Sequence, residues 1–306
     1  MRPFRFGVQI VTATSRRDWQ DKARRAEALG FDVLHVSDHL ADGFPPLAAL
    51  CSAADATERL RVGTFVVNND FRHPVVLARE AATIDLLTDG RLELGLGAGH
   101  MKHEYDEAGL RFDPAAVRVS RLEESVAIVK RLLAGEVTSF VGEHYTVQGH
   151  HAYPRPVQEP LPLLVGGNGR RVLALAAREA HIVGFTGFSQ VEGTRNVNLS
   201  HFATAGMQRQ VDWVRECAGA RFDDLELNAL LQHVELTDDP RAAFAPLCER
   251  TGYAVDDALT SPYLLAGSPS TMADALRQRR EELRLSYFVV FERVMDDFAR
   301  VIERLR

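Results

Sequence analysis

The sequence predicts an α/β protein and, within that class, a (β/α)8 TIM barrel. Three observations lead there: eight short, β-rich apolar runs recur along 306 residues, helical periodicity separates most of them, and no Pro/Ser-rich linker divides the chain. Buried strands joined by helices pair in parallel, because parallel neighbours need a crossover. Eight such units match the roughly 250 residues of a closed barrel with room for insertions. An open, doubly wound sheet with a second domain is the competing arrangement.

Residues 4–11 read as the first strand, followed by a helix on which Trp19, Ala23, Ala26 and Leu29 share a face. Residues 33–36 form the second strand, with an Ala-rich helix through Leu50 and Ala54 behind it. The third, 62–67, leads into a helix lined by Leu77, Ala81, Ile84 and Leu87. The fourth, 92–96, precedes a helix carrying Leu122, Val126, Val129 and Leu133. Residues 163–165, 182–185, 225–231 and 287–291 complete the eight. Helices are expected near 168–179, 200–219, 240–251 and 270–284, and a last one displays Phe298, Val301, Ile302 and Leu305. The whole of 1–306 is read as one barrel domain with insertions near 100–117, 136–160 and 186–205. Within the second, Gly142-Glu143 marks a hairpin. The third is polar, follows strand six and is read as a flexible lid.

Composition narrows the function. A net charge of -6 lacks the basic balance of nucleic-acid or anionic-membrane binders, so neither partner is expected. No run approaches the roughly 20 apolar residues that span a bilayer. The N-terminus has no cleavable apolar segment, and Cys51, Cys217 and Cys248 form no CxxC pair. A cytoplasmic protein without structural zinc is the expectation.

Polar residues at the C-terminal ends of barrel strands face the mouth where ligands bind. Strand two ends in Ser37-Asp38-His39, an acid and an imidazole able to anchor a polar edge and move a proton, or simply a helix cap and a solvated ring. Strand three ends in Asn68-Asn69-Asp70, and Pro74 suits the first turn of the next helix. Strand four runs into Gly95-Leu96-Gly97-Ala98-Gly99-His100. His100 stands where a dinucleotide fingerprint needs its third glycine, so the alternating glycines are read as letting a flat ligand approach the backbone. His100, His103 and Glu104 match neither HExxH nor HxxEH, and no metal is expected. Strand five ends in Gly166-Gly167-Asn168-Gly169-Arg170-Arg171 and enters a helix, read as an anion site of exposed N–H groups and two arginines, with a simple glycine turn as the alternative.

The ordered series RFGVQI, AEALGFDVLHVSDH, RVGTFVVNNDFRHPVVLAREAATIDLLTDGRLELGLGAG, PRPVQEPLPLLVGGNGRRVLALAAREAHIVGF and LLAGSPSTMADALRQRREELRLSYFVV spans nearly the whole chain. It closely resembles the bacterial luciferase-like family, specifically its branch using the deazaflavin coenzyme F420. The resemblance implies a (β/α)8 barrel. It places Asp38 and His39 beside the deazaflavin ring and a non-prolyl cis peptide at Phe65–Val66, with Val66 against the back of the ring. It sets Asn68 on the ring's polar edge and Gly99 and His100 at the ring or ribityl chain. Gly166, Gly167, Asn168 and Gly169 would hold the phosphate. Phe44 and His103 are the substrate-side candidates.

Departures from the branch matter as well. Its sugar-phosphate dehydrogenases carry an acidic residue where this chain has His100, and a tryptophan in the loop after the Asp-His pair. Here that loop is ADGFPP, and the tryptophans, Trp19 and Trp213, fall on predicted helices. Glucose-6-phosphate oxidation is therefore disfavoured. The resemblance implies hydride transfer between F420 and a small organic substrate, in the direction of C=C, C=N or C=O reduction. His39 is the proposed proton carrier and His100 the second candidate. An FMN-dependent monooxygenase and a non-catalytic cofactor-binding protein are the alternatives. A homodimer is possible.

Overall fold

Alternating side chains along a strand share one face, and here that shared face closes into a barrel interior. The computed structural model describes residues 1–41, 43–190 and 197–306. Its main sheet contains β1 (Arg5–Gln9), β2 (Val33–Val36), β3 (Arg61–Thr64), β4 (Leu92–Gly97), β5 (Leu163–Gly166), β6 (Ile182–Phe185), β7 (Glu226–Leu230) and β8 (Leu285–Phe291). Each pairs in parallel with the next, and β8 returns to β1, so the ring has no free edge. The predicted third run, 62–67, is interrupted after Thr64: the Phe65–Val66 peptide is cis, and Val67–Asn68 resume pairing against Leu96 and Gly97.

Local chemistry explains the helices between strands. Ser15 accepts the Asp18 N–H at 3.1 Å and opens the helix Arg16–Ala28, which buries Trp19, Ala23 and Ala26. Pro74 and Pro269 occupy first helical positions. The final helix, Met295–Leu305, buries Phe298, Val301 and Ile302, with Phe298 edge-on to Phe6 at 5.8 Å. The hairpin pairs Thr138–Val141 with Thr146–His150. Its turn is held by Glu124, which accepts the N–H groups of Glu143, His144 and Tyr145 at 2.7, 3.0 and 3.0 Å.

Some elements were not anticipated. Leu264–Gly267 pairs in parallel with His233–Leu236 outside the barrel, and short helices form at Lys102–Glu107 and Val255–Thr260. The lid expected near 186–205 lies partly outside the described residues.

The barrel floor is charged. Arg5 Nη1 reaches Glu226 Oε2 at 2.6 Å, its other nitrogen contacts Glu93, and Arg61 Nε meets Glu93 Oε1 at 2.7 Å. Tyr287 donates its hydroxyl to Glu93 Oε2 at 3.3 Å, and His35 Nε2 lies 2.5 Å from the same hydroxyl oxygen. A Cβ at Gly7 or Gly63 would come within 2.9 Å of the His35 ring, so both strands flanking β2 give way to it. Above this layer, Val33, Phe65, Leu164, Ile182, Leu230, Tyr287 and Val289 form an apolar cluster.

Complete burial lowers the His35 pKa to about 4, with Glu93 opposing and Arg5 assisting. The folded protein thus refuses a proton that unfolded chains accept from about pH 6.5 downward. Stability from this group is present above that value and lost as pH falls towards about 4, an effect on the order of 3 kcal/mol. Urea unfolding between pH 7.5 and 4.5 should show the decline, and His35→Leu should flatten it. An equal decline in both proteins would assign it to other groups.

Candidate active site at the barrel mouth

The mouth is formed by segments that leave the C-terminal ends of β2 to β6. After β2, buried Asp38 accepts the Asn68 N–H at 3.1 Å and an ion pair from Arg72. Its carboxylate ties the end of β2 to the segment after β3. His39 follows, with its side chain about one third exposed and Nδ1 2.9 Å from Glu104 Oε1. Glu104 itself is 3% exposed.

The rings of His39 and His100 meet edge to face, with centroids 5.6 Å apart. His100 is exposed. Crowding by surrounding protein, then charge on His39, Arg118 and His103, lowers its pKa below the ordinary imidazole value. Neutral His100 beside His39 avoids like-charge repulsion. His103 is exposed on the helix Lys102–Glu107.

The segment after β3 is fixed by its own hydrogen bonds. Asn68 Oδ1 accepts the Asp70 N–H at 3.1 Å and the Tyr105 hydroxyl at 2.9 Å. Tyr105 is fully buried, and its hydroxyl also lies 3.0 Å from Asp70 Oδ2. Burial, reinforced by Asp70, raises the Tyr105 pKa and keeps this hydroxyl a donor. With Oδ1 engaged, the Asn68 amide nitrogen is the group able to donate to a ligand.

Glycines around the cis peptide have a different cause from the one the sequence suggested. A Cβ at Gly97 would lie 2.6 Å from Val66 Cγ2, one at Gly166 3.2 Å from Val66 Cγ1, and one at Gly95 would strike the Thr64 carbonyl. The room they leave is filled by the protein's own Val66 and Thr64, not held open for a ligand. Gly99, at φ +73°, gives way to Tyr105 and the Asn68 amide. Phe65 points into the barrel, where it packs 5.1 Å from the His35 ring and is 7% exposed. Only its peptide, not its side chain, is left to meet a ligand.

At the end of β5, Gly169 caps the helix Arg170–Glu179 without a side-chain hydrogen bond, and a Cβ there would meet nothing within 4 Å. Open space beside uncapped first-turn N–H groups suits an anion. The rest of the turn is committed within the protein. Gly167 N–H donates to the Gly184 carbonyl at 3.0 Å. Asn168 Nδ2 donates to Thr186 Oγ1 at 2.7 Å and the Phe188 carbonyl at 2.6 Å, while Gly187 N–H reaches its Oδ1 at 3.2 Å. Arg170 pairs with Glu216 and Arg171 with Glu123. The expected phosphate contact thus rests on backbone N–H groups.

The structure therefore brings together His39 with His100, Asp38 with Asn68, and Val66 with Gly166. It does not bring Phe44 into that group: its ring packs edge-on to Trp19 at 5.3 Å, in a hollow of about 270 Å³ lined also by Arg16, Ala48 and Ser52. A depression of about 440 Å³ lies at the opposite end of the barrel, among the floor charges. Sequence reading passed over Tyr105 and Arg72, and weighed Glu104 only as a metal ligand. The available signal was an aromatic residue inside the charged run Lys102-His103-Glu104-Tyr105-Asp106-Glu107, which needs a buried face. Among the described residues, no three His, Cys, Asp or Glu side chains are grouped to hold a metal ion, and no helix is long and apolar enough to cross a membrane.

Comparison with known proteins places this geometry. An F420-dependent glucose-6-phosphate dehydrogenase of Amycolatopsis mediterranei (strain U-32) is 34% identical over 170 residues, covering 53% of this chain and 51% of the relative. The match thus spans about half the relative's length. One of the same name from Kribbella flavida (strain DSM 17836 / JCM 10339 / NBRC 14399) is 32% identical over 235 residues, 74% of this chain and 67% of the relative. The coenzyme F420-dependent tetrahydromethanopterin reductase of Methanopyrus kandleri superposes over 100% of both chains with a TM-score of 0.78 at 19% identity, and shares the fold. The family described as luciferase-like monooxygenase matches residues 1–198, and on that match the chain belongs to it.

Proposed function

We propose that this protein is an F420-dependent oxidoreductase that moves a hydride between the deazaflavin and a small organic substrate at the barrel mouth. The observation carrying the proposal is the mouth itself: two touching imidazoles, His39 and His100, share it with the Asn68 amide and the uncapped helix end at Gly169. The two relatives from Amycolatopsis mediterranei and Kribbella flavida are named as F420-dependent, which supports the choice of cofactor.

The residues present fit such a cofactor. Helix N–H groups beyond Gly169 would take its phosphate, Asn68 Nδ2 its polar edge, and Val66, seated on glycines, would present an apolar face to its ring. Bound there, the deazaflavin supplies a carbon that gives or accepts hydride. The protein's own work is to exclude water, align the partners and handle one proton. When a C=C, C=N or C=O bond is reduced, hydride goes to one atom and His39 delivers a proton to the other; oxidation runs the same transfer backwards.

Titration with F420 and FMN separately, followed by fluorescence quenching, tests the cofactor. An anaerobic panel of glucose 6-phosphate, a secondary alcohol, an enone and an imine then tests the reaction. Tight F420 binding with turnover of one panel member is expected. Preferential FMN binding with oxygen uptake would overturn the proposal in favour of a monooxygenase. Tight F420 binding without any turnover would favour a carrier.

A further inference from the structure

We infer that Glu104 is a positioning residue that holds His39 with its proton on Nδ1 and thereby directs Nε2 to the substrate. The inference rests on His39 being the proton carrier proposed above. Glu104 Oε1 lies 2.9 Å from His39 Nδ1, and the two come from different segments, one after β4 and one after β2. Their exposures differ sharply: about one third of the His39 side chain is open, against 3% for Glu104. A substrate reaches the imidazole, and the carboxylate stands behind it.

The carboxylate is itself held in place. The next residue, Tyr105, fastens the helix Lys102–Glu107 to Asn68 and Asp70 through its hydroxyl. Lys102, the nearest cation in sequence, is bound to Asp106 on the outer face at 2.6 Å and leaves Glu104 to the histidine. An ionised carboxylate only accepts hydrogen bonds, so a hydrogen bond at 2.9 Å requires Nδ1–H. Nε2 then accepts a proton in neutral imidazole and donates one in imidazolium. During reduction, imidazolium Nε2–H passes its proton to the substrate atom that does not receive hydride. Neutral Nδ1–H imidazole remains hydrogen-bonded to Glu104 Oε1.

The test uses full-length protein loaded with F420, with histidine ring nitrogens labelled by 15N. The native spectrum is expected to show His39 as a single species protonated at Nδ1. In Glu104→Gln, whose amide offers Nδ1 a donor as readily as an acceptor, that exclusive state should be lost. Turnover should fall at least about tenfold, part of the ~10²–10⁴ that a positioned acid–base group supplies. KM and F420 affinity should stay within about twofold. Glu104→Asp, which keeps the charge on a shorter arm, should lie between, and serves if the glutamine variant does not fold. A native-like His39 spectrum in Glu104→Gln overturns the inference. So does turnover loss accompanied by loss of F420 binding, which marks a structural role. Normal turnover in His39→Ala removes the underlying reading instead, whereas an inactive His39→Ala beside a fully active Glu104→Gln removes only this inference.

Discussion

His39→Ala is expected to bind F420 as tightly as the native protein and to lose about 10²–10⁴ of its turnover. Binding should survive because the proposed phosphate cradle at Gly169 and the proposed ring seat at Val66 belong to other strands. Turnover should not survive, because this partly exposed imidazole is the proposed proton carrier and is backed by a buried carboxylate. His100 is a poor substitute: its pKa is lowered, and it holds few protons at neutral pH. Stopped-flow measurement of the single hydride-transfer turnover, beside fluorescence titration, separates chemistry from binding. A variant within threefold of native turnover would sink His39 as proton carrier and move attention to His100, where His100→Ala repeats the measurement.

Arg5→Met should produce the largest stability loss. The native guanidinium bridges Glu93 and Glu226 and lies 4.5 Å over the Tyr287 ring. Burial raises the Glu226 pKa, with Arg5 opposing, whereas Arg5 and Arg61 overcome burial to lower that of Glu93. Methionine fills a similar volume but leaves two buried carboxylates facing one another, with Arg61 and the Tyr287 hydroxyl still serving Glu93 and only the charge of Arg2 left to Glu226. Stranding a buried charge costs about 3–5 kcal/mol. The lower end, about 3, is expected, because the Arg5 side chain is 23% exposed and Arg61 still pairs with Glu93. That is a large part of the 5–15 kcal/mol typical of a folded domain. Urea unfolding at pH 7 should show it, and adding Glu226→Gln should restore part. A loss below about 1 kcal/mol would mean that solvent screens the floor as it does a surface pair.

The barrel was legible because its signals are local. Val33–Val36 and Ile182–Phe185 form where the apolar runs predict, and Gly142-Glu143 turns the hairpin. Leu264–Gly267 was not legible, since four residues ending in glycine look like a loop until His233–Leu236 supplies a partner. The site was half legible. His39, Asn68 and Gly169 were marked by chemistry at strand ends, and the cis peptide by resemblance. Glu104 was marked only as a rejected metal ligand, because a carboxylate in a charged run gives no sign of burial until Tyr105 anchors its helix. The glycines were noticed for the wrong reason, because a sequence does not say whether a vacant Cβ position is filled by a ligand or by a valine from the neighbouring strand.

That valine has a consequence for how such a mouth diversifies. Gly95, Gly97 and Gly166 have no side chain of their own, and the relief of the wall they line is set by Val66. Deepening or flattening it takes one codon, Val66 to a smaller or larger residue, while each glycine is constrained by collision with Val66 or Thr64. Variation among natural or selected relatives should therefore gather at position 66 and spare the three positions beneath it, making the wall a mutational hinge of a single residue.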